Sequence, residues 1–93
     1  MINAFVLVNV DPAHIATVAA QIADIEGVAS AHSVAGGVAD VIAVLEVADH
    51  DSIARVVTEH LVQMEGVVGT QTAIAFRSYA SSELDAAFEG FGD

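Results

Sequence analysis

Four histidines, a few side-chain amides and a glycine-rich turn ending in aspartate carry most of the chemistry available to this 93-residue sequence. His14, His32, His50 and His60 are scattered: no His-x-x-x-His pair occurs, and none sits at a spacing from Asp or Glu that specifies a metal centre. The expectation is a chain with no metal and no cofactor. The absence of cysteine removes disulfides, thiolate nucleophiles and zinc–thiolate sites together. A catalytic site would need His32, Asn3, Asn9 or Gln71 to point into a cavity on a sheet face, beside an acid or base tuned by burial. The segments around them are filled by Val, Ile, Leu and Ala, with no paired nucleophile and base, so the chain is read as non-enzymatic.

Charge narrows the choice further. Thirteen acidic side chains face two basic ones, Arg55 and Arg77, for a formal net charge of -11. Binding nucleic acid by counterion release needs several Lys or Arg on one surface. This acidic chain cannot assemble them, and direct nucleic-acid binding is excluded. No apolar stretch approaches the roughly 18 residues of a membrane span. Met1-Ile2-Asn3 also lacks the cationic flank of a signal peptide, so the expected location is cytoplasmic, away from membranes.

The elements that must position these residues come in two copies, offset by 39 positions. Ile25-Glu26-Gly27-Val28 returns as Met64-Glu65-Gly66-Val67, the stripe Ile15, Val18, Ile22 returns as Ala54, Val57, Leu61, and Phe5-Val6 returns as Val44-Leu45. Each copy reads strand–helix–strand and is too small to bury its own apolar face. The first strand is Ile2 to Val10. Asp11 caps a helix with Pro12 in its first turn and Ile15, Val18, Ala19, Ile22 and Ile25 along one side, ending at Gly27. A strand from about Val28 to Ala35, a turn at Gly36-Gly37 and a strand from Asp40 to Val47 follow as a hairpin. Asp49 or Asp51 caps the second helix, which carries Ile53, Val56, Val57, Leu61 and Met64, and the last strand is Thr70 to Arg77. Residues 1–79 form one domain. In the tail, 80–93, Ser81 or Ser82 opens a short helix with Leu84 and Phe88 on one side, and Phe91 follows.

The order β-α-β-β-α-β gives an α+β, ferredoxin-like sandwich: a four-stranded antiparallel sheet with both helices on one face. The strands nevertheless carry apolar side chains on both faces. Phe5 and Leu7 oppose Ala4, Val6 and Val8, while Ile42 and Val44 oppose Val41, Ala43, Leu45 and Val47. An uncovered apolar face predicts sheet-to-sheet dimerisation.

The Glu-Gly-Val that closes each helix, the Gly37-x-x-Asp40 turn leading into Val41-Ile42-Ala43, and the Thr70-Gln71-Thr72 start of the last strand make the segment from Phe5 to Phe76 resemble the effector-sensing domain of the Lrp/AsnC transcription regulators. That unit is often called the RAM domain, here in its form without a helix-turn-helix. The resemblance implies dimers built through the sheets, assembly into octamers or similar rings, and a small effector, commonly an amino acid, held between dimers. It places the ligand at Gly36, Gly37, Val38, Ala39 and Asp40, with Thr70 and Thr72 facing the same cleft. Glycine lets a ligand carboxylate approach backbone N–H groups, and Asp40 pairs with its ammonium or holds the turn. The family's tyrosine is replaced by Ala39, which leaves a more open wall. The alternative for these residues is a plain hairpin turn, a local cap and ordinary β-forming threonines.

The function expected is an effector-sensing regulator domain that does not touch DNA. Two alternatives stay open: a small dimeric αβ-barrel enzyme of the monooxygenase or isomerase kind, and a purely structural oligomerisation partner of full-length Lrp/AsnC regulators.

Overall fold

The structure, a computed structural model, describes residues 1–79; the expected terminal helix with Leu84, Phe88 and Phe91 lies outside the described residues. Four strands, β1 (Ile2–Val10), β2 (Val28–Ser33), β3 (Val41–Val47) and β4 (Val67–Ile74), form one antiparallel sheet in the order β2-β3-β1-β4. Two helical segments, α1 (Ile15–Ala23) and α2 (His50–Arg55), complete the ferredoxin-like α+β sandwich.

Both helices start at aspartate caps, but neither is the single regular helix its stripe predicts. Asp11 accepts from the Ala13 N–H, and Pro12–His14 winds as a tight 3₁₀ turn before α1 proper. Beyond Ala23 the chain tightens, with Asp24 donating to the Gln21 carbonyl and Ile25 to that of Ile22, so Ile25 packs from the connection instead of from the helix. Asp49 caps α2. The chain then widens into a π-helical stretch, Val56–Leu61, in which the Val62 N–H donates to the carbonyl of Val57, five residues back. Thr58 contributes a cause: its hydroxyl donates to the Ala54 carbonyl at 2.7 Å and competes for the acceptor an α-turn would use.

Strand faces follow the alternation in sequence. Ala4, Val6 and Val8 on β1 and Val41, Ala43 and Leu45 on β3 are fully buried against the helices, together with Val18, Ile22 and Leu61. Phe5, 40% exposed, and the half-buried Leu7, Ile42 and Val44 lie on the opposite, uncovered face.

Four strand boundaries differ from expectation: β3 begins at Val41 rather than Asp40, β4 ends at Ile74 rather than Arg77, and the end of β2 and the start of β4 move as well. β2 ends at Ser33 rather than Ala35, because after the last in-register bond, from the Val34 N–H to the opposite Asp40 carbonyl, the Asp40 N–H turns to the Val8 carbonyl of β1 and the ladder has no return bond. β4 begins at Val67 rather than Thr70, because Val67 pairs with Val10 directly after Gly66. The register shifts next to Ser30 and next to Gly69 leave Ala29 and Val68 as bulged residues, at equivalent places in the two halves. Each bulge lets the preceding Val28 or Val67 turn into the core while the rest of the strand keeps its own alternation.

Candidate functional site

The turn joining β2 and β3 is built around Asp40. Its carboxylate Oδ2 accepts from the Val10 N–H at 2.8 Å, its own N–H donates to the Val8 carbonyl at 2.9 Å, and its carbonyl accepts from the Val34 N–H at 2.9 Å. Asp40 thus straps β1, β2 and the start of β3 together. Among the described residues its second oxygen, Oδ1, has no hydrogen-bond partner. Gly36 and Gly37 adopt φ of +150° and +93° with open space around them, which leaves bare backbone at the tip of the turn. Val38 points outward at 71% exposure, whereas Ala39 is buried. In a single chain, then, Ala39 offers a ligand little surface.

Thr70 pairs across the sheet with Val8 and Thr72 with Val6, so both threonines share the helix-side face and Gln71 the uncovered one. Asp40 and Thr70 flank the same end of β1, two strand spacings apart, or about 10 Å. Thr70 lines a hollow of about 210 Å³ with Val62, Val67, Val68 and Gly69, and no residue of the Gly36–Asp40 turn reaches it. One protomer brings the turn and the threonines to one end of the sheet without enclosing them in a common cavity. His32 and Gln71 stand at the two ends of one row across the uncovered face, with Ile42 and Leu7 between them.

A larger cavity, about 340 Å³, opens at the opposite end of β3. Glu26 and Gly27 from the connection after α1, Glu46 from β3, and Arg55, Glu59 and His60 from α2 and its π-helical continuation line it. Sequence reading did not find it, because its residues come from three separated segments. The usable signal was Arg55, one of two cations in the chain. Nearby, the Asp49 carboxyl is held below the usual carboxylate range, first by the Ser52 N–H and then by the Ser52 hydroxyl, both donating to Oδ1 at 2.9 Å. Among the described residues no three His, Asp or Glu side chains gather as metal ligands do, and no helix is long and apolar enough to cross a membrane.

The family model of the Lrp/AsnC ligand binding domain matches residues 3–84. The chain belongs to the Lrp/AsnC ligand-binding domain family. Its fold agrees with solved structures. A protein of Thermus thermophilus is similar with a TM-score of 0.81 at 35% identity, over 86% of this Lrp/AsnC domain and 99% of that chain. FFRP-DM1 follows at TM-score 0.75 and 25% identity, over 82% and 100%. Two structures with L-methionine share the fold at lower identity. A Neisseria meningitidis transcriptional regulator matches at TM-score 0.74 and 20% identity, over 85% of this domain and 52% of that chain. The feast or famine regulatory protein of M. tuberculosis matches at 0.70 and 23%, over 86% and 53%. The Lrp/AsnC domain thus spans about half the length of those two proteins. No curated protein sequence matches it.

Proposed function

We propose that this Lrp/AsnC domain is an effector sensor: a small metabolite, an amino acid, binds between two dimers at the Gly36–Asp40 turn and shifts the balance among assembly states. The observation that carries this reading is the ligand-binding-domain match over residues 3–84, and the two regulators of the same fold solved with L-methionine support it. The geometry is compatible with a shared site. The turn offers exposed backbone and the unpartnered Asp40 Oδ1, but one chain closes no cavity around them, so a neighbouring dimer supplies the remaining wall.

Assembly begins at the uncovered sheet face. Phe5, Leu7, Ile42 and Val44 form an apolar patch there, and a second copy covering it completes the sandwich. Dimers then associate into octamers or similar rings. The domain senses without catalysing, and it acts on transcription by modulating the assembly of full-length Lrp/AsnC regulators, since a net charge of -11 opposes contact with DNA.

Native mass spectrometry against an amino-acid panel tests this: dimer multiples that retain, or shift with, one amino acid are expected. Asp40→Asn keeps an oxygen for the Val10 N–H but removes the charge, so it should abolish the effector response with dimers intact. Asp40→Ala should lose the response and also weaken the strap. An Asp40→Asn protein that still responds makes Asp40 purely structural, and a dimer indifferent to the whole panel defeats the sensor reading.

A further inference from the structure

The cavity at the far end of β3 combines opposite charges that leave one another unpaired. Arg55 lines it together with Glu26, Glu46 and Glu59, yet no arginine closes on a carboxylate among the described residues, where the only such approaches, at 3.8 and 3.9 Å, run from the His14 imidazole to Asp11 and Glu65. In a chain with 13 acids and two bases, Arg55 stands exposed beside three exposed carboxylates and closes on none of them. Its planar fork is free for an external carboxylate, which it can grip through two parallel hydrogen bonds. The three glutamates outnumber it and favour positive charge on the rest of a ligand.

The π-helical stretch is what presents these groups together. Arg55, Glu59 and His60 stand at i, i+4 and i+5. An α-helical turn carries the fifth residue on past the face shared by the first two, whereas a turn closed from i to i+5 keeps residues four and five apart on either side of one line. The wide turn therefore sets Glu59 and His60 both toward the cavity that Arg55 opens onto. On the opposite wall, the Gly27 carbonyl accepts from the Glu46 N–H at 2.9 Å, which ties the backbone of the connection after α1 to that of Glu46. The volume of about 340 Å³ lies at the lower end of small-molecule sites.

The geometry points to a second ligand site, separate from the Gly36–Asp40 turn, that binds an amino acid with a basic side chain: its carboxylate on Arg55, its two cationic groups among Glu26, Glu46 and Glu59. A phosphate or a dicarboxylate meets three like charges there. A diamine without a carboxylate leaves Arg55 opposed to it.

The test compares L-lysine, cadaverine (lysine without its carboxylate) and L-glutamate by amide NMR titration of the intact protein at 150 mM salt. L-lysine should shift Gly27, Glu46, Arg55 and Glu59 and bind at least tenfold tighter than cadaverine, with no response to L-glutamate. Arg55→Gln should erase the preference for lysine over cadaverine, and Glu46→Gln should weaken both. Asp40→Asn should leave this binding unchanged, so the turn site and this one succeed or fail independently. Equal binding of lysine and cadaverine by the native protein would reduce the site to general attraction toward an acidic surface. Shifts confined to residues 36–40, or none, would overturn it.

Discussion

The two halves of the sheet start from one repeated pattern and end in different geometries. The repeat equates Val67 with Val28 and Leu45 with Val6. Val28 does pair with Leu45, but Val67 pairs with Val10, four residues beyond Val6. β4 has therefore slid along β1 toward its end, and each helix-closing glycine meets a different neighbour. Gly27 bonds Glu46 and lies against Val47 and Val56 of the core, whereas Gly66 bonds the Asp11 N–H at 2.8 Å and lies against His14. Repetition set the elements, and the slide set what lies at their ends. One end of the first half opens onto the Arg55 cavity, and the corresponding end of the second is closed over His14.

Replacing each glycine by alanine breaks this comparison most strongly. Both hold φ near +98°, +99° at Gly27 and +98° at Gly66, so the backbone strain is shared and costs about 1–2 kcal/mol in each. The contacts differ. A Cβ at Gly66 falls 2.5 Å from His14 Cβ and 2.8 Å from its Cγ, whereas one at Gly27 falls 3.0 Å from a methyl of Val47. His14 cannot yield easily, since its N–H bonds the Asp11 carbonyl and Asp11 in turn bonds Gly66. Gly66→Ala should thus lose about 4 kcal/mol and Gly27→Ala about 2 kcal/mol, the excess being the cost of overpacking. Urea unfolding of both variants checks it. Equal losses would mean that strain alone decides and that the His14 contact relaxes.

The difference between the halves also marks where the sequence was legible. Alternation along Ile2–Val10 and Val41–Val47 assigned each side chain to its face, and the stripe through Val18, Ile22 and Leu61 found residues that are fully buried, because both patterns are local. The bulges at Ala29 and Val68, the four-residue slide and the π-helical turn were not legible, since each depends on which strand or carbonyl is met across space. For the candidate site, the turn glycines and Asp40 were visible as a motif. The Asp40 bond to Val10, thirty residues away, and the convergence of Glu26, Glu46 and Arg55 belong to tertiary structure.

A smaller effect sharpens the same contrast. The repeat places His14 where the second half has Ile53, which is 5% exposed in the core. The imidazole brings a buried Nδ1 with no hydrogen-bond partner, and its contacts to Asp11 and Glu65, at 3.8 and 3.9 Å, are too long for hydrogen bonds. Leucine there removes the unsatisfied atom while keeping apolar bulk. His14→Leu should stabilise the protein by about 1 kcal/mol at pH 8, read as a higher urea midpoint with an unchanged slope. A loss of stability instead would show that the imidazole's contacts to the two carboxylates outweigh its desolvation.

The caps give the smallest effect, and it has a sign. Asp11 accepts one bond from the Ala13 N–H at 3.2 Å, while Asp49 accepts two from Ser52, backbone and hydroxyl, at 2.9 Å each. Those two bonds favour the ionised carboxylate, and Arg55 and His50 add to them against an opposing effect of burial, so the folded-state pKa of Asp49 is lowered from 3.8. A group whose pKa falls on folding contributes stability above its unfolded value and loses it as pH drops through the folded one. Asp49→Asn keeps an acceptor for Ser52 but cannot titrate. Native protein should therefore exceed Asp49→Asn in stability at pH 6, and the gap should close as pH falls below about 4, the ordinary aspartate range. A gap that persists unchanged at pH 2 would assign the difference to cap geometry rather than to charge.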